Sequence, residues 1–237
     1  MRKTLRTATL LISFLLLAAP LMAWGDCDHK APREASIDTA GASVIEIHAE
    51  AGSLEITGET GINSVDARGQ ACAKREAALD EIRIETDRRG DRVVVRAEIP
   101  NGKIFDGASL NLKITVPADV PLEIDDGSGS IDVRGTAGLR IDDGSGSIEL
   151  RDINGDVRLS DGSGSISVDG VRGSVEAEDG SGSMTFVDIE GDVMIRDDGS
   201  GSISVRDVGG DFTVRDDGSG GISHDKVAGN VRIPKDS

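Results

Sequence analysis

A strict tandem repeat fills the C-terminal half of this 237-residue chain. Every copy opens with an aspartate that is followed by Gly-Ser-Gly, and an isoleucine or methionine stands five positions after the aspartate. The repeat distance is 17 to 19 residues. A fixed short period is typical of a solenoid, in which each unit buries its apolar face against its neighbours. The opening aspartates are Asp126, Asp143, Asp161, Asp179, Asp198 and Asp217.

Each copy contains two short runs in which apolar residues alternate with polar ones. In one copy these are Ile148 with Leu150 and Val157 with Leu159. Alternation with period two predicts β-strands, and the glycine-bearing segments between the runs predict turns. The sequence therefore predicts an all-β, single-stranded β-solenoid (β-helix), right-handed, with coils of about 18–19 residues and two short strands per coil. One extra residue in the last coils predicts a bulge at a corner.

The chain divides into four segments. Residues 1–23 carry basic residues, an apolar run and small residues, which predicts a secretory signal peptide that is removed and leaves no transmembrane segment. Residues 24–35 form an N-terminal extension. Residues 36–121 contain strand patterns without the regular repeat, and we interpret them as a degenerate region of the same solenoid. Residues 122–237 hold the six regular coils and a C-terminal cap.

Charge and cysteine content limit the compartment and the partners. The formal net charge is -17, which disfavours nucleic acid as a partner. The two cysteines, Cys27 and Cys72, are predicted to form a disulfide in an oxidising compartment, with two free thiols as the alternative. We expect an exported protein, either periplasmic or extracellular at the cell surface.

The repeated aspartates form the most suggestive cluster of chemical groups. If the coils stack in register, we expect aliphatic side chains to meet in the interior and the six aspartates to line up outside as a column of like charges. Such a column could bind divalent cations, with Ca²⁺ as the candidate ligand of Asp126, Asp143, Asp161, Asp179, Asp198 and Asp217. The alternative, which we favour, is that each aspartate accepts a hydrogen bond from a backbone N–H of its own turn.

Several segments together resemble the DUF4097 family of exported bacterial β-solenoid proteins, which are named as adhesins. The segments are residues 51–58, 79–91 and 112–117, followed by the Gly-Ser-Gly-Ser coils, and the likeness covers residues 36–234. The resemblance implies a β-solenoid architecture and an envelope or secreted location. It supplies no catalytic residues.

The sequence favours a non-catalytic function. The histidines His29, His48 and His224 are far apart in sequence and lack the spacing of metal ligands or of a catalytic triad. We expect no cofactor and an adhesin-like interaction module of the cell envelope or surface, whose partner is an envelope or surface protein or a glycan. The alternatives are a calcium-dependent, cation-binding β-roll and, less favoured, a β-helix enzyme that acts on polysaccharides.

Overall fold

A computed structural model describes residues 27–100 and 107–234. The segment interpreted as a signal peptide lies outside the described residues. The strands that precede the regular coils are β1 (His29–Asp38), β2 (Val44–His48), β3 (Leu54–Glu59), β4 (Ser64–Ala73), β5 (Arg83–Arg89), β6 (Arg92–Glu98) and β7 (Ser109–Pro117), with a one-turn helix α1 (Glu76–Leu79) between β4 and β5.

The regular coils contribute two strands each, followed by one terminal strand. They are β8 (Leu122–Asp126), β9 (Gly129–Arg134), β10 (Leu139–Asp143), β11 (Gly146–Ile153), β12 (Val157–Asp161), β13 (Gly164–Val171), β14 (Val175–Asp179), β15 (Gly182–Ile189), β16 (Val193–Asp198), β17 (Gly201–Val208), β18 (Phe212–Val214), β19 (Gly220–Val227) and β20 (Val231–Arg232).

The strands form two ten-stranded sheets. Sheet A has the spatial order β1-β4-β7-β3-β9-β11-β13-β15-β17-β19, and sheet B has the order β20-β18-β16-β14-β12-β10-β8-β2-β6-β5. From Leu122 onward the chain alternates between the sheets, and each strand pairs in parallel with the strand one coil later, so that Ile148 lies opposite Ile166 and Val157 opposite Val175. The predicted β-solenoid with about 18 residues per coil is confirmed, and its handedness stays a prediction.

The core runs along the stack between the two sheets. Apolar residues on one side of each strand are almost fully buried, and in-register pairing brings side chains one coil apart together. Phe186 and Phe212 are fully buried within this column. Each coil thus buries its apolar face against the coils above and below it, as expected for repeats that cannot form a core alone.

Glycine is required at the fourth position of each repeat because successive coils approach closely there. Gly164 has a φ of 149°, and a Cβ atom on it would lie 1.4 Å from the carbonyl oxygen of Gly146 in the preceding coil. Residues with a side chain rarely adopt this φ. This contact explains why glycine recurs at the fourth position of every repeat. Gly-Ser-Gly tripeptides also occur in flexible linkers, but here the composition is set by the close approach of the coils.

The extra residue of the later coils lies within a strand. Ala177 pairs with Ile195, but the next residue, Glu178, pairs with Asp197, so Arg196 is the inserted residue of a bulge. The prediction of a bulge is confirmed, but its placement at a corner was wrong. A bulge inside β16 leaves the in-register pairing of Asp179 with Asp198 intact.

The N-terminal part of the stack does not follow chain order. Strands β2 and β3 pair in parallel with β8 and β9, while β6 and β7 pair with β2 and β3 on their other side. Strands β4 and β5 then join the sheets antiparallel, next to β7 and β6 respectively, and β1 joins antiparallel to β4. The coil formed by β2 and β3 is therefore inserted between two segments that lie later in the sequence.

A disulfide between Cys27 and Cys72 joins the residues that precede β1 to the end of β4. The two Cα atoms are 5.8 Å apart, and the bond closes a sequence separation of 45 residues. It lies at the end of the stack where antiparallel strands replace the parallel coils. The opposite end is more open, because β19 and β20 are largely exposed and Val231 is 37% exposed.

Candidate functional site

The six repeated aspartates form one continuous column along the stack. Each of the first five is the last residue of a sheet B strand, from β8 to β16, and the sixth follows β18. The pairing runs from Asp126 through the later coils in register, without a missing step. Neighbouring aspartates are therefore separated by one strand spacing, about 4.8 Å. We call this set the aspartate column: Asp126, Asp143, Asp161, Asp179, Asp198 and Asp217.

The aspartate column lies inside the protein, and the expectation that it lines the outside was wrong. The exposed fraction is 0% at Asp198 and 9% at Asp217, the extremes of the set. The physical reason is the alternation of the strand itself. Val157, Leu159 and Asp161 are two residues apart and share the inward side, whereas Ser160 points outward. This parity was visible in the sequence and could have placed the aspartates correctly.

One oxygen of the central aspartates is bound to its own turn. Oδ1 of Asp143 accepts a hydrogen bond from the backbone N–H of Ser145 at 3.2 Å, and Asp161 does the same with Ser163 at 3.1 Å. Asp179 accepts from Ser181 at 3.1 Å. These are the aspartate turns that the sequence predicted as the favoured alternative, and they hold the Gly-Ser-Gly corner against the end of the sheet B strand.

The other carboxyl oxygen has no hydrogen-bond partner. In Asp143, Asp161 and Asp179, Oδ2 is buried and unpaired, and in Asp126, Asp198 and Asp217 neither oxygen makes a hydrogen bond of normal geometry. The backbone N–H groups of Gly127, Ser128 and Ser200 nevertheless lie near the carboxyls of Asp126 and Asp198 and partly offset the rise in their pKa values. Among the described residues no lysine, arginine or histidine is buried, so no basic side chain accompanies these carboxyls into the core. Two neighbouring negative charges at this separation would repel by roughly 3 kcal/mol at an effective dielectric constant of about 20.

Burial shifts the proton equilibria of the column. Desolvation raises the pKa of Asp126 from 3.8 to about 7, and the neighbouring Asp143 adds to the effect. Desolvation also raises the pKa of Asp179 to about 6, with contributions from Asp161 and Asp198. The pKa values of Asp143, Asp161 and Asp198 are likewise raised, mainly by desolvation. Burial and like charge both disfavour the ionised form.

The column offers few further oxygen ligands to a divalent cation. Backbone carbonyls of the aspartates already accept hydrogen bonds from the next coil, as in Gly162 N to Asp143 O at 3.0 Å and Gly180 N to Asp161 O at 2.9 Å. Ca²⁺ takes six to eight oxygen ligands. Within residues 27–100 and 107–234, no three His, Cys, Asp or Glu side chains are grouped so that they could hold a metal ion. Calcium binding by this column stays a prediction.

The outer face of sheet A carries in-register columns of hydroxyl groups. One column runs through Ser130, Ser147, Ser165 and Ser183, and a second, two residues further along the strands, runs through Ser167, Thr185, Ser204 and Ser223. Their side chains are exposed or half-buried. We call these eight residues the hydroxyl face. Within each column the hydroxyl groups are separated by one strand spacing, and the two columns are separated by two residues along the strand.

The outer face of sheet B is charged. A groove of about 350 Å³ crosses β10, β12, β14 and β16, with charged side chains as its principal lining. Glu176 pairs with Arg196 and lies 3.6 Å from Arg158, so part of this charge is neutralised locally. Arg140 lies in register beside Arg158 and makes no ion pair with any described residue. This face therefore presents both signs of charge to solvent.

The turns that lead from a sheet A strand to the next sheet B strand are joined to the equivalent turns of neighbouring coils, by side chains as well as by backbone. Oδ1 of Asp156 accepts from the N–H of Ser174 at 2.9 Å, the hydroxyl of Ser174 accepts from the N–H of Asp192 at 3.1 Å, and Oδ1 of Asp192 accepts from Asp211 at 2.7 Å. Asp156 and Asp192 thus link the turn of one coil to the turn of the next, and Asp211 also forms an ion pair with Arg232 at 2.7 Å.

The three histidines lie on different strands. His29 is on β1, His48 is on β2 within 3.5 Å of Asp125, and His224 is on β19. The ring of His224 lies 6.2 Å from that of Phe212, between centroids. The structure does not bring these three side chains together. Along the described part of the chain, no helix is long and apolar enough to span a bilayer.

Comparison with known proteins finds likeness among solved structures. No family model matches the chain, so its membership of the DUF4097 family stays a prediction. No curated protein matches it either. A "putative cell adhesion protein" from Clostridium sporogenes is similar over 86% of this chain and 99% of its own, at 11% identity and a TM-score of 0.35. A "putative adhesin" from Bacteroides fragilis is similar over 87% and 98%, at 11% identity and a TM-score of 0.37. A "putative lipid binding protein" from Parabacteroides distasonis is similar over 86% and 97%, at 12% identity and a TM-score of 0.35.

Proposed function

We propose that this chain is an exported, non-catalytic, adhesin-like β-solenoid that acts as an interaction module of the cell envelope or cell surface. Its partner in this proposal is a polymer rich in hydroxyl groups, namely an envelope glycan. The observation that carries the proposal is the hydroxyl face. It repeats the same donor and acceptor groups from coil to coil on a surface that the apolar core holds in place.

The chemistry of the hydroxyl face suits a repeating partner. A serine or threonine hydroxyl both donates and accepts, as sugar hydroxyls do. A single hydrogen bond of this kind contributes about 1 kcal/mol net, which is too little for stable binding alone. A polymer can engage several coils at once, and linked weak contacts then add through a high effective concentration.

Two features support the exported location. Residues 1–23 have the composition of a secretory signal peptide. The disulfide between Cys27 and Cys72 is the kind of bond that forms and persists in oxidising compartments. The resemblance to the DUF4097 family implies the same location.

The test compares one change placed on the two outer faces. The first variant combines Ser167→Asp and Ser204→Asp on the hydroxyl face, and the control combines Ser160→Asp and Thr213→Asp on the outer face of sheet B. Both variants add two charges and replace two hydroxyl donors by carboxylates, which only accept. Binding is measured by sedimentation of the purified mature chain with intact bacterial cells and with purified peptidoglycan.

The hydroxyl-face variant should lose binding by about tenfold or more, because two hydrogen bonds of about 1 kcal/mol each are removed. The sheet B control should bind like the unchanged chain, and circular dichroism should show that both variants are folded. Equal binding by the two variants would contradict the assignment of the face. Release of soluble product from the polymer would contradict the non-catalytic function.

A further inference from the structure

The aspartate column contains buried carboxyl oxygens that have no hydrogen-bond partner. An ionised aspartate offers four lone-pair sites and no proton. The turn N–H groups satisfy Oδ1 of the three central aspartates, and the buried Oδ2 atoms stay unpaired. An unpaired buried acceptor is costly, and a row of ionised ones in register is more costly still.

We propose that the aspartate column is a shared-proton ladder. In mildly acidic solution carboxylic acids alternate with carboxylates along the stack, and each acid donates its O–H to the unpaired oxygen of the next aspartate. The protons come from solvent when the chain folds, and they return to solvent as the pH rises, so no other reactant is needed. The stack is consequently most cohesive in mildly acidic solution and loosens as the pH rises.

Protonation of alternate residues would resolve both difficulties of the column at once. It removes about half of the buried negative charge, and it creates the missing donors. A hydrogen bond between a carboxylic acid and a carboxylate is short and strong, with oxygens about 2.5–2.7 Å apart. Small changes in the side-chain torsions, of which the terminal one has a broad energy well, bring the unpaired oxygens of neighbouring carboxyl groups towards this geometry across one strand spacing while Oδ1 stays with its turn.

Within the described residues, the surroundings of the column supply backbone N–H groups of its own turns but no buried basic side chain. The nearest charges on the same strands are the outward-facing Asp125, Asp142 and Asp197, all acidic, and each lies next to an aspartate of the column. On sheet A, the inward residues that follow the Gly-Ser turns are apolar, such as Ile148 and Ile166. Glu50, whose carbonyl oxygen accepts from Ser128 N at 2.7 Å, lies beside the first turn.

The two ends of the column differ. At the N-terminal end the column stops, because β2 ends at His48, which pairs with Asp125. The next residue is Ala49, whose N–H donates to the carbonyl oxygen of Asp125 at 2.9 Å and which occupies the position that corresponds to Asp126. Asp126 thus has an apolar neighbour on one side and Asp143 on the other. At the C-terminal end Asp217 is the most exposed member, and His224 in the same coil packs near Phe212.

The direction of the pH effect follows from which state binds more protons. The pKa of Asp126 is about 7 and that of Asp179 about 6 in the folded chain, whereas the ordinary value is 3.8. Between about pH 4 and pH 7 the folded chain therefore holds protons that the unfolded chain has released. Stability must fall as the pH rises through this window, and the loss is complete above the folded values.

The experiment uses an aspartate doublet as its own control. Asp143 points inward and Asp142 outward, so Asp143→Asn and Asp142→Asn remove the same charge from the inside and the outside. Asparagine resembles the protonated acid in shape and can donate. Thermal melting of the mature chain is followed at about pH 5 and pH 8, each with excess EDTA and with added CaCl₂.

The unchanged chain and Asp142→Asn should show the same fall in melting temperature from pH 5 to pH 8, and Asp143→Asn should show a smaller fall. An equal fall in all three would overturn the proposal. A rise in the melting temperature with CaCl₂ that Asp143→Asn abolishes would also overturn it, because a cation and not a proton would then occupy the column.

A second measurement does not depend on any variant folding. Carbon-13 labelling of aspartate carboxyls allows NMR titration of each group in the unchanged chain. Asp126 and Asp179 should titrate with midpoints above about pH 5.5, well outside the ordinary range, and the other buried aspartates should be shifted in the same direction. Midpoints below about pH 4.5 for every aspartate would overturn the shared-proton ladder.

Discussion

Replacing Gly164 with alanine tests how closely successive coils approach at the Gly-Ser-Gly corner. The new Cβ would lie 1.4 Å from the carbonyl oxygen of Gly146, at a φ of 149°. Relief of this overlap requires the two coils to separate at the turn. Separation would break the bonds from Gly146 N to Ser163 O at 2.8 Å and from Gly162 N to Asp143 O at 3.0 Å.

The magnitude follows from these losses. The unfavourable backbone conformation costs about 1–3 kcal/mol, and two hydrogen bonds left unmade cost about 1–3 kcal/mol each, so the free energy of unfolding should fall by roughly 3–9 kcal/mol. Most domains have only about 5–15 kcal/mol in total. Gly164→Ala should therefore unfold at a far lower urea concentration than the unchanged chain, as followed by far-ultraviolet circular dichroism.

The matched control is Gly221→Ala in the last coil. A Cβ on Gly221 meets no atom within 4 Å, and the earlier coil has a serine, Ser202, at the position opposite. This variant should unfold at the same urea concentration as the unchanged chain. If Gly164→Ala and Gly221→Ala had equal unfolding midpoints, the close approach of the coils at the corner would be refuted.

Three further predictions concern the core, the disulfide and cations. Val168→Asp buries a charge in the middle of the stack and should destabilise by several kcal/mol, whereas Ser167→Asp on the neighbouring outward position should have little effect; equal melting temperatures would contradict the assigned strand faces. Cys72→Ala should lower the free energy of unfolding by about 2–4 kcal/mol, and the same loss should follow reduction of the unchanged chain. Excess chelator should leave the melting temperature at pH 7 unchanged, and a large decrease would favour the calcium-dependent roll.

The regular coils could be predicted from sequence because their determinants are local. The period, the two alternating runs and the glycine turns all lie within 20 residues of one another, and each repeats six times. The inward position of Asp161 was also encoded, since it continues the alternation of Val157 and Leu159. The expectation of an outside position rests on the general tendency of turn aspartates to be solvated, and the specific parity of this strand overrides that tendency.

The N-terminal arrangement could not be predicted in the same way. Ile45 of β2 pairs with Leu122 of β8, although almost the whole irregular region lies between them in the sequence. The sequence does not distinguish β8 from β6 as the neighbour of β2 on a given edge, because β6 carries a similar apolar run and pairs with the other edge of β2. Which of two compatible strands lies on which side depends on long-range packing, not on local pattern.

The central claim is that strand parity carries the opening aspartate of every coil into the interior, and carboxyl footprinting tests it directly. Carbodiimide labelling of the folded chain with glycine ethyl ester, read by tandem mass spectrometry, resolves the two members of the doublets Asp125-Asp126 and Asp142-Asp143. We predict that Asp125 and Asp142 are labelled and that Asp126 and Asp143 are protected until the chain is unfolded. Equal labelling of both members in the folded chain would contradict the account.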